Sequence, residues 1–249
     1  MLSSSEARGL ARSLVVYYGQ PWRTIALRRF YRSWITPGSL VFDVGAHVGH
    51  RSMAMAAAGA HVVAIEPQPL FADFLARLMR RRRDMTLVRS ALGAATGHAE
   101  LNISRRHPTV STLSSEWIDR VGATRGFDHV AWDRRVAVEL RTLDDLIADY
   151  GEPVFCKIDV EGLEAEILAG LGRPLERIAF ECLPAARSVA EACVDRLVAL
   201  GPYQFNAVIG EKHRWAYREW MDAAACRRMI RRLADIDRGA DIYARRCMA

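Results

Sequence analysis

The sequence predicts a Rossmann-like, doubly wound α/β fold from three observations. Short apolar runs typical of buried strands alternate with segments of helical periodicity through most of the 249 residues. The run at 40–42 ends in a glycine turn, a helical segment follows, and a second apolar run comes at 61–66. This order forms a βαβ unit, whose crossover is right-handed. The chain is 51% hydrophobic and 26% charged, a composition that excludes disorder and allows a large core.

Each element follows from its local pattern. Two short helices are predicted within residues 6–35, because apolar side chains recur there at helical intervals and Gly19-Gln20-Pro21 interrupts them. Residues 49–59 are rich in alanine and methionine and stop at a glycine, which predicts a helix. The other predicted helices lie near 69–82, 143–149, 164–171, 188–200 and 221–234. The other predicted strands lie near 85–90, 154–158, 178–181, 203–209 and 241–245.

Residues 98–140 break this alternation. Their polar residues are scattered and two glycines interrupt them, so we expect an irregular insertion over one end of the sheet, where loops build acceptor sites. An α/β chain of about 250 residues is commonly one domain. We therefore expect a helical cap at residues 1–36 and one elaborated domain at 37–249.

Several classes of protein are excluded. No apolar stretch approaches the ~18 residues of a membrane span, and the first residues lack the basic and apolar regions of a secretory signal. The five cysteines are an odd number without C-x-x-C spacing, which argues against a disulfide framework and a zinc site. We expect a cytoplasmic protein; the sequence makes no prediction of oligomeric state.

The chain carries 35 basic and 29 acidic residues, a net charge of +6. Arginines cluster at 80–83, at 227–232 and at 23–32. The first cluster ends a predicted helix, where cations complement the helix dipole. The second lies on a helix whose apolar stripe predicts core packing. The second and third together could dock on an anionic membrane surface, peripheral to the cytoplasmic face, or on a phosphorylated acceptor. Nucleic acid is not an expected partner, because no recognition module is present.

The loop between the first strand and the next helix has the outline of a nucleotide site. It contains Asp43, Gly45, His47 and Gly49, and Glu66 closes the next strand. His47 stands where a dinucleotide site needs its second glycine, which disfavours NAD. Asp43 would repel phosphate and attract a cation, whereas the Glu66 carboxylate suits a ribose diol. A cofactor with ribose, positive charge and no phosphate is S-adenosylmethionine; the alternative is an ordinary structural turn.

Six blocks occur in an order that resembles the FkbM family of methyltransferases. They are Val-Phe-Asp-Val-Gly-Ala-His-Val-Gly at 41–49, Ala-Ile-Glu-Pro at 64–67, Ala-Leu-Gly at 91–93, Ser-Thr-Leu at 111–113, Thr-Leu-Asp-Asp-Leu at 142–146 and Lys-Ile-Asp-Val-Glu-Gly at 157–162. The resemblance implies a class I S-adenosylmethionine-dependent fold, with a seven-stranded mixed sheet whose last strand is antiparallel. It also implies O-methylation of a sugar, glycolipid or natural-product hydroxyl. His47 replaces the asparagine usual in this loop.

Methyl transfer needs an aligned acceptor and a group that takes its proton, worth about 10²–10⁴-fold. Asp159 is the predicted base or acceptor anchor and a further cofactor contact. Glu161 is predicted to support it, since side chains at i and i+2 of an extended turn point the same way, or to cap the next helix. Glu181, at the end of the next strand, is a third candidate. Lys157 is expected to neutralise this acidic group.

Further candidates lie in the connecting segments. Ser90 and Ala91 follow the third strand, at the edge where an adenine ring is expected, although a plain turn has the same residues. His107 and His129 lie in the insertion, where a pKa near 6.5 suits proton transfer; surface loop positions are the alternative. The acidic residues with His107 would also suit Mg²⁺, but no spacing fixes such a site, and no metal is predicted.

Two other functions compete with O-methylation. One is a non-catalytic protein of the same fold that docks on an anionic membrane or a partner through its arginine faces. The other is nucleic-acid methylation, which requires salt-dependent RNA or DNA binding.

Overall fold

The computed structural model describes residues 4–122, 130–233 and 239–247. Its strands are β1 Leu40–Val44, β2 His61–Ile65, β3 Met85–Val88, β4 Ala91–Leu92, β5 Gly97–Ile103, β6 Arg134–Arg141, β7 Phe155–Ile158, β8 Arg177–Cys182, β9 Tyr203–Ile209 and β10 Ala240–Arg246. Its α-helices are α1 Ser4–Tyr18, α2 Pro21–Trp34, α3 His50–Ala57, α4 Pro69–Met79, α5 Ser115–Gly122, α6 Leu143–Tyr150, α7 Glu164–Ala169, α8 Arg187–Leu200 and α9 Ala223–Arg232. Every helix and strand predicted outside 98–140 is present within a few residues of its expected bounds.

Seven strands form the central sheet in the order β3-β2-β1-β7-β8-β10-β9. The first five of these run parallel, and β10 is antiparallel to both β8 and β9. The expected seven-stranded mixed sheet with an antiparallel last strand is therefore confirmed. The strand order reverses between β1 and β7, and the crevice beyond their carboxyl ends is where α/β sheets bind ligands.

The expected irregularity of residues 98–140 is wrong. β5 and β6 form an antiparallel pair, and β4 joins β6 in a second, three-stranded sheet. β5 alternates more exposed with more buried side chains, and its Leu101 and Ile103 pack with Ala91 and Val138 in a small separate core. This is the period of a half-buried strand, which the polar residues of the segment obscure. His129 lies outside the described residues.

The central sheet is buried on both faces, as its continuous apolar runs require. One core cluster joins the sheet to α6, α7, α8 and α9. The other joins the opposite face to α2, α3 and α4. α2 contributes Leu27, Phe30, Tyr31 and Trp34 to this second cluster, so the predicted cap shares the core of the sheet.

The basic helix α9 packs its apolar side inward, as expected, with Cys226, Met229 and Ile230 buried. On its other side, Arg227 pairs with Asp195 and Arg231 with Glu191 of α8. Half of this arginine cluster is therefore neutralised within the fold. No helix among the described residues is long and apolar enough to cross a membrane.

Candidate active site

A cleft of about 120 Å³ lies over the carboxyl ends of β1, β2, β3 and β7. The turns after these four strands form its floor. The C-terminal end of α1 and residues 108–113, which follow β5, form its walls. The cleft therefore occupies the switch point of the sheet, with the second sheet's connection covering it.

The loop after β1 is held close to the loop after β7. Gly45 has a φ of +81°, and a Cβ added to it would lie 1.9 Å from the carbonyl oxygen of Asp159. The amide nitrogens of Gly45 and Ala46 both donate to Ile65 O. His47 also takes a left-handed conformation, with a φ of +51°. Glycine at position 45 is thus required by close backbone approach as well as by conformation.

Glu66 is the buried carboxylate that organises this loop. Its Oε2 accepts from the backbone N–H of His47 at 2.7 Å, and its Oε1 accepts from that of Gln68 at 2.8 Å. Burial raises the pKa of Glu66 to about 7, although these two hydrogen bonds oppose the shift. Each oxygen keeps a second lone pair, so a ligand with two adjacent hydroxyls can still be accepted.

Asp43 is buried at the end of β1 and accepts a short hydrogen bond from the Ser52 hydroxyl. Burial raises the pKa of Asp43, while the Ser52 hydrogen bond and the charges of Arg51 and Lys157 lower it. The carboxylate also lines the cleft. A carboxylate at this position is expected to repel a phosphate group.

Two polar atoms in the cleft wall have no hydrogen-bond partner among the described residues. Within the described part of the chain, Ser90 Oγ and His47 Nε2 are buried and make no hydrogen bond. The His47 ring contacts Phe71 and Tyr17, with centroids 3.9 and 5.2 Å away, and burial lowers its pKa to about 4. Buried polar groups are normally satisfied. A neutral histidine and a hydroxyl, with Ala91 also lining the cleft, therefore suit a polar, heterocyclic ligand.

Asp159 lines the cleft as predicted, and two cations hold its Oδ2. Lys157 Nζ lies 3.3 Å from that oxygen and Arg51 Nε 3.7 Å. The same two cations contact Asp241 on β10, at 2.9 Å from Lys157 and 3.0 Å from Arg51. Lys157 is fully buried, so the expectation that it neutralises the acidic group is confirmed.

Glu161 also lines the cleft, but the reasoning that placed it there is wrong. Its φ is +58°, so the turn is not extended. Nor does it cap the next helix: Glu164 Oε1 accepts from the amides of Val160 and Gly162. Burial first, and then the charge of Asp159, raise the pKa of Glu161 well above its usual range.

Two predicted catalytic residues are not brought to the cleft wall. Glu181 lies in a smaller neighbouring cavity with Glu164 and Trp117, where burial and nearby carboxylates raise its pKa well above the usual range. The Nδ1 of His107 lies 3.2 Å from an Arg12 guanidinium nitrogen of α1, and neither Glu181 nor His107 borders the main cleft. Among the described residues, no cluster of three metal-ligating side chains occurs.

Three side chains at the site were not predicted from the sequence. Tyr17 of α1 lines the cleft, and burial together with Asp159 raises its pKa. Arg51 follows the glycine loop by two residues, and Asp241 begins a predicted strand. The signal for Asp241 was a carboxylate at the start of the predicted strand 241–245, next to the apolar pair Ile242 and Tyr243. For Tyr17, helical periodicity showed an inward side chain but not that it borders a cleft.

The sheet order, the single reversed strand and the acidic cleft at the switch point define a class I methyltransferase fold. A family model described as the methyltransferase FkbM domain matches residues 43–236. The chain belongs to the FkbM methyltransferase family.

Three solved structures are similar to this chain. An O-methyltransferase from Bacillus cereus in complex with SAH has 13% identity and a TM-score of 0.48, over 99% of this chain and 92% of that one. A precorrin-6y C5,15-methyltransferase from Geobacter metallireducens has 15% identity and a TM-score of 0.46, over 92% and 89%. Fibrillarin from Aeropyrum pernix with natively bound S-adenosyl-L-methionine has 14% identity and a TM-score of 0.44, over 84% and 67%. No curated protein matches the sequence significantly. The family assignment rests on the sequence match.

Proposed function

We propose that this protein is an S-adenosylmethionine-dependent O-methyltransferase that acts on a hydroxyl of a sugar, glycolipid or natural product. One observation carries the proposal. The cleft at the switch point presents Asp43, Glu66, Asp159 and Glu161 together, with two buried polar atoms nearby that lack partners. Carboxylates in this number favour a cationic ligand over a phosphorylated one.

The residues present fit the cofactor. Glu66 would hold the ribose hydroxyls, because its oxygens are already oriented by two backbone amides. Ser90 and Ala91 would border the adenine, and Asp43 with His47 would face the methionine part. When bound, the cofactor supplies a methyl group on a positively charged sulfur. The protein's own task is to hold the acceptor hydroxyl in line and exclude water.

Asp159 is the group to which we assign the hydroxyl proton. Its Oδ2 is fixed by Lys157 and Arg51, which orients Oδ1 as the acceptor. The hydroxyl proton would pass to this carboxylate as the oxygen takes the methyl group, whose bond to the cofactor sulfur would break and leave its electron pair on sulfur. Glu161 and Tyr17, which also line the cleft, would border the acceptor.

The first experiment is calorimetry with S-adenosylhomocysteine. Binding to the wild-type chain is expected, and its absence refutes the proposed cofactor. The second supplies tritiated S-adenosylmethionine and a lipid and glycan extract as acceptor, followed by mass spectrometry of the labelled product. Asp159→Asn should lower labelling about 10²–10⁴-fold and leave S-adenosylhomocysteine affinity nearly unchanged.

The matched control is Glu100→Gln, the same chemical change at a carboxylate that is 68% exposed on β5. It should label at the wild-type rate. Labelling by Asp159→Asn at the wild-type rate would overturn its assignment as proton acceptor. Label found on nitrogen or carbon, rather than in a methyl ether, would overturn O-methylation while leaving the cofactor assignment intact.

A further inference from the structure

The helical hairpin formed by α1 and α2 has two dissimilar sides. Its inner side is bound to the glycine loop and its neighbour α3. The Tyr18 hydroxyl donates to Val48 O at 3.1 Å, and Thr24 Oγ1 lies 3.1 Å from His50 Nε2. With Tyr17 lining the cleft, the hairpin is held in one orientation against the site.

The outer side of the hairpin exposes large apolar side chains at the bend. Val15 is 70% exposed, Val16 53%, Trp22 66% and Ile25 51%. These are four of the seven exposed large hydrophobic residues in the described part of the chain. All four lie in the last turn of α1 or the first two turns of α2. An apolar cluster of this kind marks an interaction surface.

Arginines flank this apolar tip on both helices. On α2, Trp22, Ile25, Arg29 and Arg32 follow one another at spacings of three, four and three residues, which places them on one stripe. All four are exposed. On α1, exposed Arg8 and Arg12 precede Val15 on the corresponding stripe. The result is an apolar bend with a cationic margin on each side.

The charge of the hairpin is not consumed within the fold. Residues 1–36 contain six arginines and one acidic residue, which gives them a formal charge of +5. The whole chain has a formal net charge of +6. Arg29 and Arg32 make no ion pair with any residue that the structure describes. The arginines of α9 differ in this respect, since Arg227 and Arg231 are paired.

We infer that the α1–α2 hairpin docks this protein on an anionic lipid bilayer. Trp22, Ile25, Val15 and Val16 enter the interfacial region, and the flanking arginines bind lipid phosphates. Tryptophan and aliphatic side chains beside arginine are the composition of interfacial membrane-binding helices. A second copy fits less well, because a two-fold contact through this surface would bring two hairpins of +5 together. A nucleic-acid partner would account for the arginines but not for the exposed apolar side chains at the bend.

Docking in this orientation would bring the cleft to the lipid surface. Tyr17 lines the cleft, and the exposed Val15, two residues earlier, lies about 200° away around the helix. α1 therefore separates the cleft from the bilayer by about one helix diameter, ~10 Å. The docking itself does not depend on methyl transfer, and it is measured without turnover.

The experiment is flotation of the full chain with vesicles of phosphatidylcholine alone or mixed equally with phosphatidylglycerol. Two hairpin variants are compared, Trp22→Ser/Ile25→Ser and Arg29→Glu/Arg32→Glu. The matched control is Arg80→Glu/Arg81→Glu, the same charge reversal at two exposed arginines after α4. Melting temperature and S-adenosylhomocysteine calorimetry verify that each variant is folded.

The wild-type chain should float with the anionic vesicles only, and about 1 M salt, where the Debye length is about 3 Å, should weaken the binding. Because each basic residue near the surface contributes about a five-fold factor, Arg29→Glu/Arg32→Glu should lower the partition coefficient at least about 25-fold. Trp22→Ser/Ile25→Ser should also lose binding, and the control should retain it.

Three results would overturn the inference. The wild-type chain fails to bind anionic vesicles, the hairpin variants bind as well as wild type, or the control loses binding equally. Sedimentation adds a further discriminating result: a dimer that Trp22→Ser/Ile25→Ser dissociates, with no vesicle binding, would assign this face to a second copy. Vesicle binding without any S-adenosylhomocysteine binding would refute the proposed function and leave the docking intact.

Discussion

The ionisation of Glu66 should control the affinity of the cleft for S-adenosylhomocysteine. Its carboxylate is buried at the end of β2, with one backbone amide on each oxygen, and burial raises its pKa to about 7. A ribose diol donates two hydrogen bonds, which the ionised form accepts better than the protonated form. Binding should therefore favour ionised Glu66 and release a proton below neutral pH.

The sign and size follow from linkage. With a pKa of about 7, the ionised fraction of Glu66 rises from about one tenth at pH 6 to about nine tenths at pH 8. The association constant should rise about tenfold across this interval and level off above it. Glu66→Gln cannot ionise and presents an amide N–H₂ to one of the two backbone donors. Loss of a charge-assisted hydrogen bond of about 2 kcal/mol predicts about thirty-fold weaker binding at pH 8.

The assay is calorimetry at pH 6, 7 and 8 in two buffers of different ionisation enthalpy, which counts the protons released. His47 does not interfere, because its pKa of about 4 lies below the interval. Glu161 and Glu181 also have raised pKa values, and both residues are unchanged in Glu66→Gln. Any pH dependence that they cause would therefore persist in this variant. An affinity for the wild-type chain that is flat from pH 6 to 8, or a Glu66→Gln chain that keeps the tenfold rise, would refute this reasoning.

Two further predictions concern stability. Gly45→Ala should lower the free energy of unfolding by at least about 2 kcal/mol, because its Cβ would lie 1.9 Å from Asp159 O at a positive φ. Thermal melting compares it with Gly97→Ala, which meets no atom within 4 Å; equal melting temperatures would contradict the clash. Lys157→Met should cost up to about 3–5 kcal/mol, since it removes a fully buried cation from Asp159 and Asp241 and leaves both carboxylates to Arg51. Urea titration tests this against Lys212→Met, an exposed lysine expected to change little.

The sequence was sufficient for the central sheet because its strands carry their own evidence. Residues 40–42 and 62–65 are continuous apolar runs, which is the pattern of strands buried on both faces. The position of β10 between β8 and β9 does not follow from periodicity; the family resemblance implied only that the last strand is antiparallel. β5 and β6 were missed, since a half-exposed strand carries an alternating pattern that polar flanking residues mask.

The sequence predicted those cleft residues that directly follow a recognisable strand. Asp43, Glu66 and Asp159 each follow a recognisable strand, so topology alone places them at one edge. Arg51 and Asp241 are nearly 200 residues apart and meet only because β10 returns beside β8, a non-local pairing that no local pattern contains. His107 does not border the cleft. The residues that follow it reach the cleft, but the His107 ring is directed to Arg12.

Charge segregation explains how a basic chain holds an acidic cleft. The formal charge of +5 on residues 1–36 nearly equals the net +6 of the whole chain, so the remaining residues are close to neutral and the cleft can be acidic. Lys157 and Arg51 then balance Asp159 and Asp241 and leave Asp43 and Glu66 for the ligand. The net positive charge of the chain is therefore carried mainly by residues 1–36, and the binding chemistry of the cleft is set by carboxylates.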